Sequence, residues 1–80
     1  MENASKLQIL GHRIRALRLE KKLSQAKLAI IIYKDQQSIH KVETGKFNPT
    51  YLYLLEICDG LEITIDELLK DIQKKTEDKS

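Results

Sequence analysis

The stretch that decides the fold covers residues 23–45 and reads LSQAKLAIIIYKDQQSIHKVETG. Ser24 is a favourable helix N-cap, and the apolar residues that follow it lie at helical spacing, which predicts a short helix. Asp35 is a second favourable N-cap and predicts another short helix after it. Gly45 suits the left-handed backbone conformation that often closes a helix. The stretch therefore predicts two short helices joined by a tight turn.

These two helices, expected over about 25–32 and 36–44, are too short to be stable alone and must pack on other segments. One such segment lies upstream. Ser5 and Gln8 form a possible capping box, which predicts a first helix that ends near Lys22. Its apolar residues recur at spacings of three and four and form one face: Leu7, Leu10, Ile14 and Leu17.

Two further helices are expected downstream. A fourth helix is expected to begin after Thr50, and the chain pattern alone would end it at Gly60. Thr64 and Glu67 form a capping box for a fifth helix. No apolar segment alternates over the length of a strand, so the sequence predicts an all-α fold of five helices. The domain is expected to cover residues 1–73, followed by a disordered tail over 74–80.

The stretch over 23–45 resembles the helix-turn-helix of the phage repressor and Cro-like (XRE-like) DNA-binding family. The residues that match within and just before it are Arg18, Leu23, Ser24, Gln25, Leu28, Ala29, Ile39, Val42, Glu43 and Gly45. The flanks over 11–18, 48–50 and 66–69 match as well, so the resemblance covers most of the chain. It implies a five-helix phage-repressor-like DNA-binding domain, with the helix-turn-helix at about 24–45.

The resemblance also implies which side chains contact DNA. Gln25, at the start of the second helix, would meet a backbone phosphate. Gln36 and Gln37, at the start of the third helix, would read base edges in the major groove, where a glutamine can make two hydrogen bonds to adenine. The other candidates are Ser38, His40, Lys41, Lys46 and Asn48. The alternative is that these residues only form the polar, exposed side of a surface helix.

Other family positions concern the scaffold. The resemblance implies an ion pair between Arg18 and Glu43 that joins the first helix to the third; the alternative is two unrelated surface charges. Gly11 lies inside the first helix, where the close approach of a neighbouring helix would explain it. Tyr33 stands where many relatives have glycine. Either the turn has a different geometry, or Tyr33 adopts a strained left-handed conformation.

The fourth helix contains more apolar residues than one buried stripe needs. One recognition helix would cover only a few base pairs, so we expect a homodimer on a two-fold operator, with half-sites about 34 Å apart and the surplus at its interface. The expected interface residues are Leu52, Tyr53, Leu55, Ile65, Leu69 and Ile72. The alternative is that they widen the core of the domain, in which Phe47 and Cys58 are also expected. The family register would end this helix near Leu61, with Glu62 where glycine is usual.

The charge of the chain is unevenly distributed. Residues 1–48 contain ten Lys or Arg and four Asp or Glu, whereas residues 49–80 contain four and eight. This asymmetry favours one face that binds a polyanion and another turned away from it. The single cysteine excludes an internal disulfide and fits a reducing, cytoplasmic location.

The sequence shows no pattern typical of an enzyme, a metal site, a cofactor site or a membrane span. His12 and His40 fall on different helices, so a nuclease is the weakest alternative. The expected function is sequence-specific binding of double-stranded DNA as a transcriptional regulator, without a small-molecule effector. Phage-type repressors, restriction–modification controllers and antitoxins all share this form. A protein-interaction module of the same fold is the other alternative, because Ile30, Ile31, Leu52 and Tyr53 add apolar surface.

Overall fold

The computed structural model describes the backbone of residues 2–70 and the side chains of residues 6–70. Within this range the chain forms five helices and no strand, which confirms the predicted all-α fold. The helices are α1 (Glu2–Glu20), α2 (Gln25–Ile31), α3 (Gln36–Glu43), α4 (Tyr51–Leu61) and α5, described over 65–70. The predicted interface residue Ile72, the domain end at 73 and the tail over 74–80 lie outside the described residues.

Side-chain caps begin four of the helices. Each N-cap of α2, α3 and α4 accepts a hydrogen bond from the backbone N–H three residues later: Ser24, Asp35 and Thr50. At α5, the Glu67 N–H donates to Thr64 Oγ1 over 3.1 Å, and the Thr64 N–H donates to Glu67 Oε1 over 3.0 Å. Local hydrogen bonds of this kind satisfy N–H groups that the helix leaves unpaired, so the sequence sets these starts.

The first helix differs from its prediction at both ends. It begins at Glu2 rather than after Ser5, because residues 2–5 contain no helix breaker and continue the helical turn. The proposed capping box at Ser5 is therefore wrong. The helix ends at Glu20, and Lys22 has a φ of 60°, a left-handed conformation that cannot continue a right-handed helix.

Left-handed residues also follow α2 and α4. Tyr33 has a φ of 59°, so of the two alternatives left open by the sequence it adopts the strained left-handed conformation. Glu62, with a φ of 59°, caps α4 after Leu61, as the family register implied. The alternative end at Gly60 is wrong. Gly60 instead makes room for α2, because a Cβ there would lie 2.6 Å from Cγ2 of Ile32.

One hydrophobic core joins all five helices. The α1 helix packs on α3, and α2 packs on both α3 and α4. Cys58 is buried, as predicted. The buried apolar residues are Ile14, Leu17, Leu28, Ala29, Ile32, Ile39, Val42, Tyr53, Ile57, Cys58, Leu61 and Leu68.

The aromatic residue that fills this core is Tyr53, not Phe47. Tyr53 is only 9% exposed, whereas Phe47 is 40% exposed and sets its ring edge-on against Tyr53, with 5.9 Å between ring centroids. The reason is helical periodicity, because Tyr53, Ile57 and Leu61 are four residues apart and face inward together. The structure thus corrects two predictions: Phe47 lies at the edge of the core, and Tyr53 is not surplus surface on α4.

Gly11 explains how closely α1 and α3 approach. A Cβ at this position would lie 2.5 Å from the carbonyl oxygens of Val42 and Glu43, at the end of α3. Only glycine allows the two backbones to touch in this way, which confirms the expected close approach. The third helix is therefore seated directly on the first.

Candidate nucleic-acid interface

The outer side of α3 carries polar side chains, and its inner side is apolar. Ile39 and Val42 face the core, while the exposed side chains of α3 point outward: Gln36, Gln37, His40 and Lys41. Together with the first residue of α2, the outward side chains line one shallow depression: Gln25, Gln36, Gln37, His40 and Lys41. The structure thus brings together five of the eight residues that the sequence proposed for DNA contact.

Lys46 and Asn48 lie just beyond α3, in the loop that leads to α4, and both are exposed. Ser38 differs. Its hydroxyl donates to the backbone oxygen of Asp35 over 2.9 Å and lies 2.6 Å from the hydroxyl of Tyr53. The side chain is half-buried and engaged on the α4 side of α3. This geometry argues against a base contact by Ser38.

Gln25 is joined to α3 by its side chain. Its Nε2 donates to Glu43 Oε1 over 3.0 Å and lies 3.4 Å from Nδ1 of His40. A phosphate oxygen accepts hydrogen bonds, so Gln25 can hold one only with the Nε2 hydrogen that faces His40. The sequence did not indicate this link, because its partners lie 15 and 18 residues away.

A buried ion pair fixes the far end of α3. Arg18 donates from Nε to Glu43 Oε2 over 2.7 Å and from Nη2 to Oε1 over 3.0 Å. Its Nη1 donates to the backbone oxygen of Leu23 over 2.7 Å. The side chains of Arg18 and Glu43 are 6% and 1% exposed. The pair that the family resemblance implied is therefore present. Arg18 thereby joins three parts of the chain: α1, the segment that precedes α2, and the end of α3.

The carboxylates of the helix-turn-helix are used internally. Asp35 caps α3, and Glu43 pairs with Arg18. The lysines that follow the start of α3, Lys41 and Lys46, remain exposed. Lys41 and Lys46 outnumber the one exposed carboxylate, Asp35, so the net accessible charge is positive, which suits a phosphate backbone.

Apolar side chains are also accessible on α4 and α5, although Ile65 and Leu69 pack against the core as well. Leu52 is 65% exposed, and Leu55, Ile65 and Leu69 are half-buried. Tyr53 is not among these accessible residues, because it lies in the core. Four of the six residues proposed for the dimer interface are thus at least partly accessible, and Ile72 is outside the described residues.

The part of the chain that the structure describes offers little for other chemistries. Among the described side chains, those of residues 6–70, no group of three or more His, Cys, Asp or Glu could hold a metal ion. None of the helices described is long and apolar enough to span a bilayer. Burial raises the pKa of the Cys58 thiol, and Asp59 and Glu67 raise it further, so this thiol is not activated as a nucleophile.

Comparison with known proteins gives matches over most of the chain. A family model described as helix-turn-helix matches residues 14–68. The chain is 39% identical over 66 residues to the control protein C.MunI of a Mycoplasma species, which covers 81% of this chain and 89% of that protein.

Solved structures agree in fold. The restriction–modification controller protein C.AhdI from Aeromonas hydrophila is 34% identical, with a TM-score of 0.78 over 80% of this chain and 97% of that chain. A mutant of the restriction–modification controller protein C.Esp1396I is 28% identical, with a TM-score of 0.82 over 89% of this chain and 95% of that chain. The clp gene regulator ClgR from C. glutamicum, at 19% identity and a TM-score of 0.82 over 86% of this chain and 88% of that chain, shares the fold.

Proposed function

Because the chain belongs to the helix-turn-helix family of DNA-binding transcriptional regulators, we propose that it is a controller protein of the restriction–modification type. In this proposal it acts in the cytoplasm as a homodimer on a two-fold operator. The observation that carries the proposal is the depression formed by the outer side of α3 and the start of α2. Similarity to controller proteins over 89% and 97% of their lengths favours this class over phage repressors and antitoxins.

The side chains of the depression divide into two roles. Gln36 and Gln37 are exposed at the first turn of α3, where an amide can donate to and accept from one base edge. Lys46, exposed in the loop that follows α3, offers a positive charge to a phosphate, and Gln25 offers an N–H from the start of α2. Lys41 lies one turn beyond the glutamines, where its ammonium group could bind a base edge or a phosphate.

The dimer is proposed to form through the apolar surface of α4 and α5. One recognition helix covers only a few base pairs, and two copies related by a two-fold axis double the contacts. Leu52, Leu55, Ile65 and Leu69 supply accessible apolar area on the part of the chain that is acidic, which suits a face turned away from DNA.

The test of the main proposal is selection from a random-sequence DNA pool with the purified protein. Enrichment of a palindrome is expected. An alternative function is a protein-interaction module of the same fold, which the exposed Ile30 and Ile31 on α2 favour. A pool that shows no enriched sequence would reject the regulator and support that module.

Substitutions separate the two kinds of DNA contact. Gln36→Ala or Gln37→Ala should cost about 1–3 kcal/mol on the selected site and relax the preference at one base pair. Lys46→Ala is the matched control for backbone contact. It should weaken binding to all DNA sequences alike and reduce the slope of log affinity against log salt concentration by about one. If the glutamine variants lost equal affinity for selected and random DNA, the assignment of Gln36 and Gln37 to base contacts would be refuted.

The dimer has its own test. Leu52→Glu places a charge on the exposed apolar surface without opening the core, so it should yield a folded monomer with weakened operator binding. Sedimentation of the unmodified protein at micromolar concentration, with and without the operator, comes first. A monomer under both conditions would rule out the dimer.

A further inference from the structure

Tyr53 joins the helix of the proposed dimer surface to the helix of the proposed DNA surface. It lies on α4 between Leu52 and Leu54, with its ring in the core and its hydroxyl 2.6 Å from the Ser38 hydroxyl. Ser38 is the residue directly after Gln36 and Gln37 on α3. One side chain therefore reaches from α4 to the turn of α3 that carries both glutamines.

The direction of the hydrogen bonds follows from counting protons. The Ser38 hydroxyl has one hydrogen, and it donates to the backbone oxygen of Asp35 over 2.9 Å. The Tyr53 hydroxyl must therefore donate to Ser38. The Asp35 carboxylate in turn accepts the Ser38 N–H over 2.7 Å. These bonds form a chain from α4 to the N-cap of α3, and each bond polarises the next.

The Tyr53 ring is also held by the segments on both sides of α3. Lys34, just before α3, places Nζ 5.1 Å from the centre of the ring and 3.0 Å from Glu56 Oε1 on α4. Phe47, after α3, packs edge-on against the same ring. Rotation or tilt of α3 relative to α4 would disturb the contacts of Tyr53 with Ser38, Lys34 and Phe47.

We infer that Tyr53 is a positioning residue for base recognition, an inference that rests on the proposed function. It does not contact DNA. Through Ser38 it sets the orientation of the first turn of α3 relative to α4, and hence the angle at which Gln36 and Gln37 of each protomer meet their half-site. Paired hydrogen bonds to a base are sensitive to angle, so specific binding depends on Tyr53 more than random binding does.

The test variant is Tyr53→Phe, which removes only the hydroxyl and keeps the ring contacts with Lys34 and Phe47. The matched control is Tyr51→Phe, since Tyr51 lies two residues earlier on α4 and its side chain is exposed. The first measurement is amide hydrogen exchange in the free protein, by nuclear magnetic resonance. Exchange at Ser38 should be about three- to tenfold faster in Tyr53→Phe, with α1 and the control unchanged.

The second measurement is the ratio of affinity for the selected operator to affinity for random DNA. Tyr53→Phe should lower this ratio about three- to tenfold and leave random binding unchanged. Ser38→Ala should lower it similarly, and the double variant should lose no more than either single variant, because both remove one chain of bonds.

The outcomes separate the two proposals. An unmodified protein that selects no site would refute the proposed function and, with it, a role of Tyr53 in base recognition. An unmodified protein that selects an operator, together with a Tyr53→Phe variant that keeps both the ratio and the Ser38 exchange rate, would overturn this inference alone. A loss of random binding equal to the loss of specific binding would also overturn it.

Discussion

The two sides of α3 are held in different ways. Toward α1, the helix backbone touches Gly11, and Glu43 is paired with Arg18 out of contact with water. Toward α4, the ion pair between Lys34 and Glu56 has side chains that are 31% and 36% exposed. The first attachment has no room to adjust, whereas the second combines polar contacts with an aromatic contact at the edge of the core.

This difference indicates which of the two helix contacts, α1 with α3 or α3 with α4, can change its geometry. A buried pair that loses one partner leaves an uncompensated charge, and an exposed pair that loses one partner leaves a solvated charge. We therefore expect α1, α2 and α3 to behave as one rigid unit, while the angle between α3 and α4 depends on a few hydrogen bonds. Three substitutions test this comparison and a fourth serves as a solvent-exposed reference, in order of decreasing effect.

The largest effect is expected for Glu43→Ala. The substitution leaves the Arg18 guanidinium buried without its carboxylate, which should reduce the free energy of unfolding by about 3–5 kcal/mol. Urea denaturation measures it. Glu56→Ala is the matched control on the α4 side and should cost less than about 1 kcal/mol. Equal losses for the two variants would remove the distinction between the two attachments.

Gly11→Ala tests the backbone contact. The added methyl group would meet two carbonyl oxygens that cannot rotate away, so we expect a net loss of about 1–3 kcal/mol despite alanine's higher helix propensity. Gly60→Ala is the matched control, because its methyl group would meet only side-chain atoms of Ile32, Leu28 and Ile31. It should cost less. A Gly11→Ala protein more stable than the unmodified one would show that α1 and α3 can separate.

Lys34→Met tests the exposed attachment. The change removes the ion pair with Glu56 and the contact of the ammonium with the Tyr53 ring, and we expect a loss of at most about 1 kcal/mol. The loss should shrink as salt is raised, because exposed charges are screened. A loss that is large and independent of salt would mean that the α4 side is as firmly fixed as the α1 side.

The smallest effect concerns Glu67, a solvent-exposed reference for the ion pairs. The pKa of this carboxyl is lowered from its ordinary 4.5, first by the backbone N–H of Thr64 and also by the Thr64 hydroxyl, Lys21 and Lys70. A lowered pKa means that Glu67 contributes stability above 4.5 and loses it as pH falls through the lower folded value. Thermal unfolding should show Glu67→Gln destabilised at neutral pH, with the difference vanishing in acid. A difference that grows in acid would contradict this sign.

Local hydrogen bonds explain why the helix boundaries could be predicted. Ser24, Asp35 and Thr50 each bond to a backbone group three residues away, so the signal lies within a short window of sequence. The start of α1 was missed because the capping pattern of Ser5 and Gln8 indicated a later position than Glu2. The conformation of Tyr33 could not be predicted from its residue type, because the cost of a left-handed tyrosine is offset by the packing of α2 and α3, which it connects.

Contacts between distant residues could not be predicted in the same way. The partner of Ser38 lies 15 residues further along the chain, so its position at the start of α3 suggested base contact and not a bond to Tyr53. The pairing of Arg18 with Glu43, 25 residues apart, came only from the family resemblance. The four-residue spacing of Tyr53, Ile57 and Leu61 did contain the signal that Tyr53 is buried.

We expect the left-handed residues that follow α1, α2 and α4 to shorten the time that the protein survives in a cell. Lys22, Tyr33 and Glu62 each carry a side chain where glycine would be unstrained, at about 1 kcal/mol apiece. Net stabilities of small domains are only about 5–15 kcal/mol, so the unfolded fraction available to proteases is considerably larger than it need be. A regulator that is degraded quickly follows changes in its own synthesis closely. Glycine at the three positions should lengthen the half-life measured after synthesis is blocked and leave every side chain of the proposed DNA surface in place.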